Sequence, residues 1–221
     1  MPSASTDRAA PTPASVFTTL AAPVSVEIEV KRSRFRCIVQ RVDSEDAARE
    51  LIAATRKRHW DAGHHCSAMI LGAERSLERS SDDGEPAGTA GAPMLEVLRG
   101  RELSDVVAVV SRWFGGTKLG TGGLARAYGD AVRSALDSAL TLRCVLVEEF
   151  LIEVDHATAG RLENDLRARG VDVLSTQYAE RARISLGIPV GRREELESTL
   201  AELTSGRVDL QPVGSSWRDT P

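Results

Sequence analysis

The densest group of residues that could bind a ligand lies in segment 111–129, where five glycines precede a predicted helix. Glycine lets the backbone approach a ligand closely and permits positive φ angles, and the free N–H groups at a helix start attract anions. This pattern predicts a site for phosphate or an RNA backbone. The alternative is a glycine-rich turn needed only for tight packing beneath the helix. The candidate anion-binding residues are Arg112, Gly115, Gly116, Lys118, Gly120, Thr121, Gly122, Gly123 and Arg126.

The spacing within this segment excludes two familiar phosphate-binding motifs. No Gly-Lys-Ser/Thr opens the helix, as it would in a Walker A loop, and no G-x-G-x-x-G fingerprint lies in a βαβ unit. The sequence therefore predicts an anion site without predicting a nucleotide cofactor or any other cofactor.

A second candidate loop site lies in the acidic segment 78–93. Asp82, Asp83 and Glu85 could bind Mg²⁺ through oxygen ligands, although their spacing is not that of an EF-hand. The alternative is an acidic loop whose aspartates cap turns. Thr89, between Gly88 and Gly91, could equally shape a binding loop.

Two histidines and a cysteine, His64-His65-Cys66, form a third feature. On a strand, His64 and Cys66 face one side of the sheet and His65 faces the other. A Cys–His nucleophile also needs an orienting group and an oxyanion hole, and the sequence identifies neither. A buried cysteine that packs as a small hydrophobic residue is the simpler interpretation.

Aromatic and basic residues flank the glycine-rich segment. Trp113 and Phe114 could stack on bases if they are exposed, whereas buried they would belong to the core. Lys31, Arg32, Arg34 and Arg36 predict a basic hairpin edge. Its alternative role is a solvated sheet face that blocks edge pairing.

Composition narrows the class of protein. The 221 residues carry a net charge of −4, which argues against a generic DNA-coating protein. The three cysteines form no C-x-x-C pair, so neither a disulfide framework nor a thiolate zinc site is expected. The chain contains no apolar run of membrane-spanning length, and its start has no pattern of a secretory signal. Residues 1–15 are expected to be a disordered tail, and the cytoplasm is the expected location.

The elements that must position these residues follow from hydrophobic periodicity. Strands are predicted at 24–30, 35–42, 65–71 and 106–111, and helices at 45–59, 93–99 and 124–140. Ser44 is the expected N-cap of the first helix. Residues 72–92 are expected to form one long loop.

A change in charge near residues 143–148 marks a domain boundary, because residues 145–221 hold 14 acidic and 9 basic residues. Beyond it, strands are predicted at 146–154, 171–178, 182–189 and 207–213, with helices at 159–169, capped by Thr158, and 192–204. This βαββαβ order predicts an α+β protein whose second domain is a ferredoxin-like sandwich.

Four long motifs resemble the YigZ/IMPACT family: 31–35 (KRSRF), 64–68 (HHCSA), 81–91 (SDDGEPAGTAG) and 112–129 (RWFGGTKLGTGGLARAYG). The resemblance implies an α/β sandwich over residues 16–143, similar to domain 2 of a small-subunit ribosomal protein and to domain IV of elongation factor G. It also implies that the ferredoxin-like domain, residues 144–216, is similar to domain V of that factor. The resemblance carries over no catalytic residues.

Eukaryotic members of the family are regulators of translation that act in the starvation response, through a partner-binding domain this chain does not share. The resulting hypothesis is a non-enzymatic, translation-associated regulator that binds RNA or the ribosome through the glycine-rich loop. Two alternatives remain at this point. One is a small-molecule or phosphate-ligand enzyme, such as a metal-assisted hydrolase, with a pocket between 78–91 and 115–126. The other is an adaptor that binds a regulatory protein. None of these hypotheses involves a membrane.

Overall fold

The structure is a computed structural model that describes residues 14–220. The chain divides into two compact units, with the division between Leu142 and Arg143. The predicted tail, residues 1–15, lies almost wholly outside the described residues. Within 14–220, no helix is both long enough and apolar enough to cross a membrane.

The first unit is built on a five-stranded sheet in which neighbouring strands run antiparallel, in the order β2-β3-β6-β4-β5. Its strands are β1 (Val16–Leu20), which lies outside this sheet, β2 (Val24–Val30), β3 (Ser33–Arg41), β4 (His64–Leu71), β5 (Leu77–Ser81) and β6 (Val106–Trp113). The helices are α1 (Glu45–Arg58), α2 (Gly91–Gly100) and α3 (Thr121–Asp137).

Both faces of the central strands are covered. Alternate residues of β3, β4 and β6, including Phe35, Cys66 and Val110, pack with the apolar faces of α2 and α3 in one core. The intervening residues, such as Met69 and Val107, pack against α1 in a smaller core. The continuous apolar sequence of β6 follows from this burial on two faces.

The predicted first helix is confirmed, and Ser44 caps it by accepting a hydrogen bond from the N–H of Ala47 at 3.3 Å. The single loop predicted for residues 72–92 is wrong, because β5 lies within it and pairs with β4. Strand β5 is a short, mostly polar edge strand, so its sequence shows no apolar alternation. The sequence analysis did not predict strand β1, because its five residues are too few to show a hydrophobic period.

The second unit follows the order β7 (Thr141–Val154), α4 (His156–Ala168), β8 (Asp172–Tyr178), β9 (Ala182–Pro189), α5 (Arg193–Thr204) and β10 (Gln211–Thr220). Its strands pair antiparallel in the order β10-β7-β9-β8. This is the predicted ferredoxin-like arrangement, and its core includes Phe150, Ile184, Leu162 and Leu196. The protein is therefore of the α+β class.

Two local predictions in this unit are wrong. The last strand is β10, at 211–220 rather than 207–213, because its many polar residues carry no strand pattern and its pairing with β7 alone defines it. Thr158 does not cap α4, since the helix begins at His156 with Asp155 in the cap position. The Thr158 hydroxyl instead donates to the Asp155 carbonyl at 2.9 Å.

Candidate anion-binding site

A buried carboxylate joins three elements of the first unit. Glu85 Oε1 accepts hydrogen bonds from Arg112 Nη1 at 2.6 Å and from the Tyr128 hydroxyl at 2.7 Å. The side chains of Glu85 and Arg112 are 3% and 9% exposed. The loop before α2, the end of β6 and the middle of α3 are thus held together by one oxygen atom. Burial raises the pKa of Tyr128 far above its usual range, so its hydroxyl stays protonated and donates.

Asp82 fixes the loop that carries Glu85. Its carboxylate accepts backbone N–H groups from Gly88 at 2.8 Å, Ala90 at 2.9 Å and Gly91 at 2.8 Å. Partial burial acts to raise the pKa of Asp82, but the three N–H donors outweigh it and hold that pKa below its usual value. Because Ala90 offers no capping side chain, Asp82 serves as the cap of α2.

The other polar side chains of this loop are also engaged in internal contacts. Asp83 accepts from Arg56 Nη2 at 2.7 Å and from the His65 N–H at 2.6 Å. The Thr89 hydroxyl donates to the Pro86 carbonyl at 2.6 Å. Within residues 14–220, no three His, Cys, Asp or Glu side chains are grouped so that they could hold a metal ion. The contacts of Asp82 and Asp83 therefore favour the turn-capping interpretation of the acidic segment.

The three residues at the start of β4 have three different environments. His64 Nδ1 lies 2.8 Å from the Asp83 carbonyl, to which it donates, and its Nε2 lies 4.0 Å from Glu85. His65 is buried beside the Ser111 hydroxyl at 3.0 Å, and burial lowers its pKa, with Arg56 adding to the effect. The Cys66 thiol donates to the Asp82 carbonyl at 3.0 Å, and burial raises its pKa to about 12. Cys66 thus stays a protonated thiol near neutral pH, as the core interpretation predicts.

The glycines of segment 111–129 serve different purposes. A Cβ atom at Gly115 would lie 2.0 Å from the Arg32 carbonyl carbon and 2.3 Å from the Ser33 nitrogen, so only glycine fits against the β2–β3 turn. The Gly115 N–H donates to the Ser33 hydroxyl at 3.1 Å. Gly116 and Gly120 have φ angles of +83° and +74°, which other residues rarely adopt.

The start of α3 presents free donors. Its N-cap is Gly120, which has no side chain to accept from the first turn. The first helical hydrogen bond runs from the Leu124 N–H to the Gly120 carbonyl at 2.9 Å. The N–H groups of Thr121, Gly122 and Gly123 precede it and have no acceptor within the helix. A Cβ atom at Gly122 would meet nothing within 4 Å, so the space beside this residue is open.

Gly120 and Thr121, at the start of α3, border a cavity of about 370 Å³. It lies between the acidic loop and the glycine-rich segment, and its lining includes His64, Pro86, Arg112, Phe114, Lys118 and Thr121. The Nε atom of Arg112 is fully buried and has no hydrogen-bond acceptor. Phe114 is 61% exposed, and the Arg112 guanidinium carbon lies 5.8 Å from the centre of its ring. The cavity thus combines the Lys118 ammonium group, the start of α3 and the exposed ring of Phe114. Together these groups can hold an anion beside a planar group.

Comparison with known proteins gives the same two-part division. Residues 31–136 match the Impact N-terminal domain, and residues 152–207 match a domain of unknown function, DUF1949. The IMPACT family member YvyE of Bacillus subtilis is 39% identical over 185 residues, which span 84% of this chain and 85% of that protein. This chain belongs to the IMPACT family. The member YigZ of Escherichia coli is 36% identical over 195 residues, which span 87% of this chain and 96% of YigZ.

Two further relatives differ in how much of the chain they share. The IMPACT homolog of Saccharomyces cerevisiae is 33% identical over 93 residues, covering 40% of this chain and 35% of that protein. A solved structure described only as a hypothetical protein has a TM-score of 0.64 and 34% identity, and covers 90% of this chain and 98% of its own. The chain therefore has the fold of this solved structure over nearly its whole length, whereas its similarity to the yeast homolog is limited to about a third of that protein.

In this IMPACT family chain, the structure separates residues that the sequence grouped together. Lys118 and Arg112 line the same cavity, whereas Arg126 lines another with Glu96, Arg101 and Asp130. The positive charge of Arg112 is already paired with Glu85, so Arg112 shapes the wall and Lys118 supplies the accessible side-chain cation. On the basic hairpin, Arg34 lies over the Trp113 ring at 4.6 Å, and the Arg32 Nη2 donates to Thr117 at 3.1 Å.

The sequence did not reveal the roles of Tyr128 and Glu85. Tyr128 follows the helical period as a core residue, and nothing in the spacing links it to a carboxylate 43 positions earlier. The one available signal was chemical, since a buried tyrosine hydroxyl needs a partner.

We expect Glu85→Ala to lower the free energy of unfolding by about 3–5 kcal/mol, because it leaves the Arg112 charge buried without a partner. Urea unfolding measures the loss. The double variant Glu85→Leu with Arg112→Met should recover part of it, since no charge is left buried, while the Tyr128 hydroxyl still lacks its acceptor. Asp130→Ala, which breaks an exposed pair with Arg133, is the control and should cost under about 1 kcal/mol. Equal losses for Glu85→Ala and Asp130→Ala would contradict the buried-pair account.

Two glycine variants should behave oppositely. Gly115→Ala places a Cβ atom against the backbone of Arg32 and Ser33, so it should destabilise by at least about 1–3 kcal/mol. Gly122→Ala meets open space in a helix, so stability should stay the same or rise by up to about 1 kcal/mol. Thermal unfolding of the two proteins under one set of conditions tests this difference, and a stable Gly115→Ala protein would refute the packing role.

Proposed function

We propose that this protein is a non-enzymatic, translation-associated regulator that binds RNA, on the ribosome or free, in the cytoplasm. The observation that carries the proposal is the uncapped start of α3, which opens beside Lys118 and the exposed ring of Phe114 at one cavity. A backbone phosphate of RNA would lie at the helix start.

The chemistry of the cavity suits RNA. Backbone N–H groups at a helix start and a lysine are common donors to nucleic-acid phosphates. An exposed aromatic ring next to such a position can stack on an unpaired base, and stacking contributes about 1–3 kcal/mol per base. Phe114 lines the cavity and is our candidate for that contact.

The net charge of −4 does not oppose the proposal, because the negative charge is concentrated in residues 145–221. The candidate site lies in the other unit, where acidic and basic residues nearly balance. Lys118 supplies an exposed positive charge at the cavity itself.

Family membership supports the link to translation through the implied similarity of the two domains to domains IV and V of elongation factor G.

The alternative of a metal-assisted hydrolase is less favoured, because Asp82, Asp83 and Glu85 are each engaged in internal hydrogen bonds. A protein-binding adaptor of a stress response is the other alternative, and it predicts no effect of the cavity residues on RNA.

The proposal predicts different effects for two variants that each remove one positive charge. Lys118→Ala should weaken binding to single-stranded RNA and reduce the slope of log K against log salt by about 0.7, because one phosphate contact is lost. Arg126→Ala lies at a different cavity and should leave the slope unchanged. Fluorescence anisotropy over a range of salt concentrations measures both quantities, and ribosome pelleting with the same variants tests the ribosomal source.

Equal losses in the two variants would mean that RNA senses only total charge, and the cavity would not be the site. If the unaltered protein binds neither RNA nor ribosomes, the proposed function is wrong and the protein-binding adaptor becomes the favoured hypothesis.

A further inference from the structure

We infer that a second surface of the first unit, on the side of the sheet that carries α1, contacts single-stranded RNA. This inference rests on the proposed function and adds to it a contact surface separate from the cavity at α3. The surface, named here the basic face, consists of the β2–β3 turn, the exposed cations of β3 and the end of α1. Its residues are Lys31, Arg32, Arg34, Arg36, Arg58 and Trp60, and all six side chains are exposed.

The β2–β3 turn holds two cations in an unusual backbone conformation. Val30 pairs with Ser33, so the turn has only two residues, Lys31 and Arg32. Their φ angles are +47° and +67°, a left-handed conformation for which two-residue hairpin turns prefer Asn-Gly or Gly-Gly. Residues with longer side chains disfavour this conformation, so the turn is less stable than Asn-Gly would make it. Backbone strain of this kind clusters at functional positions, and here it accompanies two exposed positive charges.

Strand β3 extends the positive charge from the turn. Arg34 and Arg36 lie on the same side of β3 as Ile38, which packs in the core beneath α1. Arg34 lies over the ring of Trp113 and 3.7 Å from Glu27. Within residues 14–220, Arg36 forms no ion pair, and neither do Lys31 and Arg58 of the same surface. These three cations are therefore available to phosphate groups.

Neighbouring carboxylates do not cancel this charge. Three exposed acidic residues lie beside the basic face: Glu27, Glu29 and Asp61. Of these, only Glu27 forms an ion pair with a cation of the face, and that pair with Arg34 is itself exposed. Five cations beside three carboxylates leave an excess of positive charge, which is complementary to a nucleic-acid backbone.

Trp60 supplies an aromatic ring among these cations. Its side chain is 82% exposed, in a turn that the Ala62 N–H closes by donating to the His59 carbonyl at 2.9 Å. Burial lowers the pKa of His59, and the charges of Arg36 and Arg58 lower it further, which places both guanidinium groups near this turn. A lone exposed aromatic residue is common on protein surfaces. A ring among cations is the combination that binds single-stranded nucleic acids, because bases stack on the ring while the cations contact phosphates.

The basic face adjoins the candidate RNA cavity through the β2–β3 turn. Arg32 Nη2 donates to the Thr117 hydroxyl at 3.1 Å, and Gly115 packs against the backbone of the same turn. Trp113 and Phe114 are consecutive, and the first lies beneath Arg34 whereas the second lines the cavity. A strand that leaves the cavity past this turn would therefore reach the basic face. This continuity and the exposed ring favour RNA over an acidic peptide as the ligand.

The first test replaces the turn without endangering the fold. The double variant Lys31→Asn with Arg32→Gly has the preferred residues for this turn, so its thermal unfolding temperature should stay the same or rise. Its affinity for single-stranded RNA should fall, and the slope of log K against log salt should decrease by about 1.4, for two lost phosphate contacts. The control, Arg126→Ala with Arg133→Ala, removes two exposed cations at another cavity and should leave the slope unchanged.

The second test concerns the aromatic ring. Trp60→Ala should weaken RNA binding by roughly fivefold or more, because one stacked base is lost, whereas Trp60→Phe should keep most of the affinity. RNA should also quench the tryptophan fluorescence of the unaltered protein, and Trp60→Phe should remove most of that quenching. Tyr178→Ala, which removes a 63% exposed ring from the second unit, is the control and should not change the affinity.

The outcomes separate this inference from the proposed function. Binding that depends on Lys118 but is unchanged in both Trp60→Ala and the turn variant would overturn the basic face and leave RNA binding at the cavity intact. If the unaltered protein does not bind RNA, both are wrong. Polyglutamate that competes as well as RNA of equal length, with no effect of Trp60→Ala on either ligand, would assign the basic face to an acidic protein and overturn the inference.

Discussion

The first unit depends on one buried oxygen atom, Glu85 Oε1, which accepts from both Arg112 and Tyr128. Removing the carboxylate takes this acceptor from two buried donors, and removing either donor takes away one of the two hydrogen bonds of a buried carboxylate; both changes are costly in a protein interior. The contact holds the acidic loop against the end of β6 and the side of α3. Because these are also the walls of the cavity, the shape of the candidate site follows from the same interaction. The acidic residues thus shape the cavity at which we propose that an anion binds, and they are not themselves its ligands.

The glycine-rich segment combines two requirements that a sequence alone presents as alternatives. Gly115 is required for packing, since any side chain there would overlap the β2–β3 turn. Gly122 is not required for packing, because the space around it is open. Between them, Gly120 begins α3 with a positive φ and no capping side chain. One part of the segment therefore fixes the fold, and the other leaves the helix start accessible to a ligand.

The sequence predicts those features that depend on neighbouring residues. Helix α3 follows from its apolar period, and the start of α1 follows from Ser44. Features that depend on distant residues were not predictable in this way. Glu85 and Arg112 are 27 positions apart in the sequence, and this separation matches no helical or strand period. The polar strands β5 and β10 are defined only by the strands with which they pair. The sequence grouped Lys118 with Arg126 because both are basic residues near the glycines. The structure separates them into different cavities, since Lys118 lies in the loop before α3, whereas Arg126 lies within the helix.

The central claim is that the start of α3 receives the phosphate. The most direct measurement is a titration of ¹⁵N-labelled protein with a short single-stranded RNA, followed by NMR of the backbone amides. The account predicts that the amide signals of Thr121, Gly122 and Gly123 show the largest shifts and saturate together, because their N–H groups bind the ligand. Unchanged signals for these three amides, with RNA-dependent shifts confined to other surfaces such as α1 or the second unit, would contradict it.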